Sequence, residues 1–339
     1  MVDIVNASGM SMSNMSFDRY WLESPEFRLH WLIKVYSTPT FIIAGSIGNM
    51  TVAAILYRHQ LTWQHSICFY MFVYALLNTL VLNLAFGLNW LPFVVRVRHV
   101  MEIADWMCRV YQLIFRIITY FPAWIIVAMM VDRVVSPSSS LRHVCTIFVA
   151  ELVTVFIFIG LVAISIHAMW MYELMNGECY ILEPPNFMTI VWPWIAATFY
   201  SYIPFVALLT LNVLLCLRWH HIVVSYSVKQ HQFTRATLLV SVSYILCNFP
   251  ILLVNFIDRA QPSWLHAWHN FVRFLVVHEV CQLIGCLHHA ITFVIYFSTM
   301  SLFRCSLKCH KDTTRQTRDS VTDLEMRALD TSENHQNDL

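Results

Sequence analysis

The chain has 339 residues, 58% of them hydrophobic and only 12% charged, with a mean hydropathy of +0.59; ordinary soluble domains carry roughly 25% charged residues, so this is the composition of a membrane protein. A formal net charge of +1 supplies no basic field for a polyanion, and no basic run interleaved with aromatics is present, which excludes a nucleic-acid-binding surface.

Residues 1–31 read as an N-terminal segment outside the membrane. They contain no basic stretch leading into an apolar run, so no cleavable signal is expected and the first span should direct insertion itself. Asn6 and Asn14 open Asn-x-Ser sequons and would accept glycans if this end faces the lumen. A third sequon, at Asn49, lies within an apolar run and should be unreachable.

A bilayer core of about 30 Å takes about 20 largely apolar residues per helix. Seven runs meet that requirement: 32–57, 67–93, 105–135, 144–170, 189–217, 235–257 and 271–297. The expected fold is therefore all-α, a seven-transmembrane helix bundle over 32–297. Polar residues interrupt the second, third and seventh runs, as they do where spans face a bundle interior or a wet cavity. Twelve of the 21 Lys and Arg collect on the side that also carries residues 298–339. That bias places the N-terminus outside and the C-terminal tail in the cytosol. No repeat of broken half-helices and no Gly-rich filter loop is visible, which weighs against a transporter or channel.

The third run opens at Cys108 and closes at Asp132-Arg133. Arg133 lies 25 residues after Cys108, or about 37 Å of helix, so the two sit at opposite membrane faces. Cys179, in the loop after the fourth span, shares the outer face with Cys108, where an oxidising lumen permits a disulfide.

This constellation resembles the rhodopsin-like (class A) G-protein-coupled receptors. Gly48-Asn49 in the first span, Pro204 in the fifth, Pro250 within Cys-Asn-Phe-Pro in the sixth and the segment LHHAITFVIYF in the seventh look like the family's helix motifs. The stretches CFYMFVYALLNTLVL and VWPWIAATFYSYIPFVALLTLNVLL look most like invertebrate FMRFamide-type neuropeptide receptors. The resemblance implies a plasma-membrane receptor, not an enzyme and without a cofactor. It would bind an extracellular ligand and activate a heterotrimeric G protein. Asp132, Arg133 and Tyr296 would form the coupling switch. Pro204 and Pro250, each removing a backbone hydrogen bond, would serve as hinges. An amphipathic eighth helix would occupy 298–311.

Several positions depart from that pattern. The family's span-two aspartate is Asn78 here, with Asn83 as an alternative alignment, and its polar neighbours are Pro122, His288 and Thr292. The carboxylate of the family's sodium site is missing, so no sodium-dependent modulation is expected. Asn248, Phe293 and Val134 stand where the family carries Trp, Pro and Tyr. The foot of span six reads KQHQFTR, without an acid to hold Arg133, so raised basal activity is expected.

For ligand binding, the outer half-spans offer Asn89, Gln112, Arg116, Asn255, Asp258, His278, Glu279 and Gln282. Both charge signs suit a short peptide, whose amine could meet Glu279 or Asp258 while an acidic or carbonyl group meets Arg116. Span three carries Phe115 and Arg116 where a monoamine site would need an aspartate. Each reading has a plainer alternative. Arg116 and Glu279 could pair internally to hold the bundle. Asp132-Arg133, as a switch a weak interfacial ion pair worth about 1 kcal/mol that ligand binding could overcome, could instead be a snorkelling pair without a switching role. The prolines could be static kinks, and the same fold could serve a small-molecule chemosensory receptor.

The doublets His220-His221 and His288-His289 lack metal-ligand spacing, because helical neighbours point about 100° apart. Glu151 and His167 in span four are expected to be interhelical hydrogen-bond partners. Cys305 and Cys309, beside Arg304 and Lys308, fit S-palmitoylation against the inner leaflet, or are free thiols. The tail 312–339 is polar and acid-rich with several Ser and Thr, as in a disordered segment that phosphorylation would prepare for arrestin-type partners.

Overall fold

The structure, a computed structural model, describes residues 25–95, 97–137, 145–182, 191–219, 228–260 and 268–306. Helix α1 is Pro25–Arg58; α2 runs through Ser66–Leu80, Val81–Gly87 and Leu88–Val95; α3 is Asp105–Val135 and α4 is Ile147–Ser165. Helix α5 runs through Trp192–Ala197, Thr198–Tyr202 and Ile203–Leu217; α6 is Val228–Ala260 and α7 is Trp268–Thr299. All seven hold a segment long and apolar enough to cross a membrane, where only a helix or a closed barrel satisfies its own backbone polar groups. Helices α1 and α6 each begin seven residues before the apolar run that announced them, because a helix continues beyond the hydrocarbon region wherever its backbone can bond.

Burial decides which helices form the centre. More than half of the apolar window of α2 (56%) is buried and half of that of α3, against 11% for α4, so α4 lies at the rim. Small residues bring α1 against α7: a methyl group built on Gly45 would stand 2.9 Å from the Ala290 backbone, and one on Gly48 would stand 2.8 Å from Phe293 Cβ. Close backbone approach of this kind supplies the van der Waals contact that holds helices together in lipid. Phe293, where the resembling family has a proline, thus packs on Gly48 in an uninterrupted α7.

Two helices change pitch midway. Val81–Gly87 in α2 and Thr198–Tyr202 in α5 are π-helical turns. The second ends just before Pro204, whose ring cannot donate to the preceding turn, and the wider turn absorbs that missing bond. It carries Tyr200 to α3, where the ring stacks on Tyr120 at 4.3 Å and the hydroxyl meets Ser165 Oγ at 2.7 Å. Pro250 lies inside an unbroken α6. In α2, Asn78 is fully buried, whereas Asn83 is exposed and donates to Ser46 Oγ at 2.8 Å. Asn78 is therefore the core position of the two alignments.

The all-α expectation misses one element, a hairpin of β1 (Tyr172–Met175) and β2 (Glu178–Ile181) between α4 and α5. Its turn is Asn176-Gly177, both at positive φ (54° and 84°). Asn-Gly is the pair that adopts this two-residue hairpin turn with least strain. After α7, residues 301–306 are helical, with Phe303 fully buried. The rest of the expected eighth helix and Cys309 lie outside the described residues, as do the sequons at Asn6 and Asn14 and the tail 312–339. Asn49, the third sequon, is buried and donates to the His289 carbonyl at 2.9 Å.

Candidate functional site

At one end of α3, Asp132 and Arg133 are both buried, with 7% and 5% exposure. The Arg133 guanidinium is ion-paired to Asp132, with Nε at 3.0 Å from Oδ2, and Ser66 Oγ of α2 donates to Asp132 Oδ1 at 2.7 Å. The expectation of an interfacial pair worth about 1 kcal/mol is corrected here. That figure belongs to exposed ions, whereas removing one partner from a buried pair strands a charge at a cost of about 3–5 kcal/mol.

Arg133 lines a cavity of about 760 Å³ at this end, bounded by Ser66 and Ile67 of α2, Thr146 before α4, Gln230, Gln232 and Phe233 of α6, and Ser301 and Cys305 after α7. Among the described residues that line it there is no carboxylate, and α6 contributes Gln230, Gln232 and Phe233. Hydrogen bonds tie the neighbouring elements here: the Arg218 guanidinium donates from Nη1 to the Val134 carbonyl at 3.0 Å, and Gln232 Oε1 accepts from the Ser301 N–H at 3.1 Å and hydroxyl at 3.0 Å. Tyr296, expected in the same switch, is fully buried and stacks on Phe303 at 5.9 Å. Its hydroxyl has no hydrogen-bond partner among the described residues.

A second polar group lies in the middle of the bundle. Asn78 Nδ2 donates to Thr292 Oγ1 at 3.2 Å, and Asn78 Oδ1 lies 2.8 Å from His289 Nδ1. His288 bonds Tyr74 Oη through Nε2 at 2.6 Å and Ser243 Oγ through Nδ1 at 2.9 Å. The Ser243 hydroxyl donates to the Val240 carbonyl at 2.9 Å. It therefore accepts from His288, which fixes the Nδ1–H tautomer and makes Tyr74 the donor to Nε2. The two imidazoles take different partners, as neighbours 100° apart on a helix must. Sequence reasoning had no role for Tyr74 or Ser243, because the partners lie 214 and 45 residues from His288.

At the other end of α3, Cys108 and Cys179 form a disulfide with a Cα–Cα distance of 5.7 Å. It fixes the hairpin over α3, aided by the Leu174 N–H donating to Asp105 Oδ1 at 3.0 Å. Arg116 donates to Tyr172 Oη at 2.6 Å, with its guanidinium carbon 5.7 Å from that ring's centroid. Glu279 faces α1, where His30 Nε2 lies at 3.3 Å and Lys34 Nζ at 3.7 Å. The two charges expected to share a pocket, or to pair internally, thus take different partners. Gln112 Nε2 approaches Met101 Sδ at 3.8 Å, His278 is buried against Phe274, Asn255 and Asp258 are half-buried, and Gln282 is exposed.

Sequence reasoning also missed a cap in the loop between α2 and α3. His99 Nδ1 accepts from the Met101 N–H at 3.2 Å while Glu102 Oε2 accepts from the His99 N–H at 3.2 Å. His99 Nε2 donates to Asn89 Oδ1 at 3.0 Å. Burial holds the His99 imidazole below its ordinary pKa, and the nearby Glu102 carboxylate opposes that shift. Just after α4, His167 accepts from Trp192 Nε1 of α5 at 2.9 Å, the hydrogen-bonding role expected for it, and Glu151 in α4 is half-buried.

Among the described residues, seven helices long and apolar enough to cross a membrane mark this as a multi-pass membrane protein. No protein-family model matches the chain, and no curated protein does so either.

Proposed function

We propose that the protein is a rhodopsin-like G-protein-coupled receptor of the plasma membrane that binds a short neuropeptide and activates a heterotrimeric G protein. The observation that carries this reading is the ion pair Asp132-Arg133 at the wall of a 760 Å³ cavity, 25 residues along α3 from the disulfide. A permeation pathway has no need for that arrangement. In this reading the disulfide end faces outward, the N-terminus is extracellular, and the cavity receives the C-terminal helix of a G-protein α subunit. Residues 301–306 begin the eighth helix, anchored through palmitoyl groups on Cys305 and Cys309. The tail beyond it would take an arrestin-type partner.

Ligand binding at the outer end would favour a state in which the foot of α6 moves away from α3. Only differential affinity for that state shifts the population. A peptide carboxylate or carbonyl would compete with the Tyr172 hydroxyl for Arg116, which links the ligand to the hairpin and, through the disulfide, to α3. Glu279, already held by His30 and Lys34, is a brace between α1 and α7 more than a ligand contact.

The deciding experiment is a peptide-library screen with a promiscuous G-protein reporter, run on the wild-type chain and on Arg133→Ala. The expected result is a response to a peptide that Arg133→Ala abolishes while surface expression persists. A response indifferent to Arg133 would overturn the coupling role. Binding that survives loss of both Arg116 and Glu279 would favour a small-molecule chemosensory receptor.

A further inference from the structure

We infer that Gln232 is a latch across one wall of the Arg133 cavity, a neutral double hydrogen bond at the foot of α6, where the stretch Lys229 to Arg235 carries no acid. Gln232 Oε1 accepts from both the backbone N–H and the hydroxyl of Ser301, 69 residues away in the chain. Of the two ends of the Gln232 side-chain amide only the oxygen can accept from a backbone N–H, so the orientation of this side chain is fixed by its partner. Both residues line the cavity that holds Arg133, and so do Phe233 beside Gln232 and Leu302 beside Ser301. The latch therefore closes one wall of that cavity.

On α6 it stands below two further polar ties. Ser241 Oγ accepts from Asn212 Nδ2 of α5 at 2.7 Å, and Ser243 Oγ bonds His288 of α7 at 2.9 Å. These lie nine and eleven residues beyond Gln232, or about 14 and 16 Å up the helix. With the upper two intact, breaking the Gln232–Ser301 pair removes a tie at the foot of α6 and leaves its middle held. The Ser301 N–H belongs to the first turn of the helical segment 301–306, which has no intrahelical acceptor, so loss of Gln232 also uncaps that segment. A neutral acceptor of two hydrogen bonds is a weaker tie than a buried ion pair, and it opens without stranding a charge. The biological meaning of this opening rests on the reading of the cavity as a docking site for a G protein.

Cys145 lines the same cavity and is half-buried, whereas Cys216 on α5 is exposed and is absent from its lining. The test is the alkylation rate of Cys145 by N-ethylmaleimide in the purified full-length protein, read by peptide mass spectrometry with Cys216 as internal standard. Gln232→Met, which keeps the side-chain length and removes the acceptor, is expected to raise the Cys145 rate roughly tenfold and leave Cys216 unchanged. Gln232→Glu retains an acceptor and should label no faster than wild type. Ser301→Ala, which removes the hydroxyl and keeps the N–H, should fall between them. A wild-type Cys145 rate in Gln232→Met, or equal rises in the Met and Glu variants, would overturn the latch. Should Gln232→Met fail to fold, Ser301→Ala decides by the same readout: a raised rate supports the latch and an unchanged rate overturns it. No ligand or G protein enters this measurement. Raised Cys145 labelling without raised basal signalling in the reporter would sustain the latch and overturn the G-protein reading.

Discussion

Ser66 Oγ donates to Asp132 Oδ1 at 2.7 Å, so the charged doublet at the end of α3 is anchored to the start of α2. Both side chains are buried, and the bond satisfies a carboxylate oxygen that the Arg133 guanidinium leaves open. Ser66→Ala should destabilise the protein by about 1–3 kcal/mol, the cost of leaving a buried charged acceptor short of one partner. Thermal unfolding of the purified protein measures this directly. Ser66→Thr, which keeps the hydroxyl, should recover most of the loss.

The contact between α1 and α7 is steric and has a predictable sign. A methyl on Gly48 would stand 2.8 Å from Phe293 Cβ, so Gly48→Val must displace Phe293 or part the helices. The expected loss is about 1–3 kcal/mol, typical of overpacking. In the double variant Gly48→Val with Phe293→Ala part of that loss should return, as the cycle of unfolding free energies would show. Strict additivity would mean that the two side chains do not meet.

Loop stability should depend on pH through His99. Its folded pKa is lowered by burial, so the unfolded chain binds more protons in the window just below the ordinary imidazole value. Stability therefore rises with pH there: the contribution of the cap is fully present above about 6.5 and is lost as pH falls below it. Protonation also removes the Nδ1 acceptor used by the Met101 N–H. The protection of the Met101 amide, its intrinsic exchange rate relative to the observed one, should fall between pH 7 and pH 5, and His99→Asn should abolish that fall.

The Cys108–Cys179 disulfide spans 71 residues of sequence. Loop-closure entropy for that length corresponds to about 4 kcal/mol. Cys108→Ser should lower the thermal midpoint and loosen the hairpin. Tyr172 is 2% exposed and packs with the two cysteines, so its accessibility to chemical iodination reports the loosening. An unchanged midpoint would show that α3 and the hairpin hold each other without the bridge.

The polar centre of the bundle bears on sodium. Asn78 contacts Thr292 and His289, with no carboxylate in that network. Under the proposed function, sodium should leave agonist affinity unchanged in wild type, and Asn78→Asp should introduce a dependence. Radioligand competition in sodium and in N-methylglucamine measures both. A sodium effect in wild type that Asn78→Ala removes would sink this expectation.

The seven helices were legible in the sequence because lipid imposes a length and a composition on each span. The two ends of α3 were legible because a helix rises by a fixed amount per residue, and the Cys108–Cys179 bridge joins the residues that this spacing placed on one face. The hairpin was missed although Asn176-Gly177 signals it, since each strand has only four residues. The candidate ligand set was less legible. The sequence placed Arg116 and Glu279 in outer half-spans, but the rotation of each helix about its axis decides what a side chain meets. Arg116 turned toward Tyr172 and Glu279 toward His30 and Lys34.

The sequence by itself determined seven spans, their order and the residues that close each end of α3, because these follow from one-dimensional hydropathy and from helical rise. Only the tertiary structure decided that Asp132-Arg133 is buried and held by Ser66, that Asn78 and not Asn83 faces the core, and that Gln232 reaches Ser301. These outcomes depend on helix rotation, on π turns that shift the register of α2 and α5, and on pairings between residues far apart in the chain. Such pairings are fixed by how neighbouring helices pack and satisfy their polar groups.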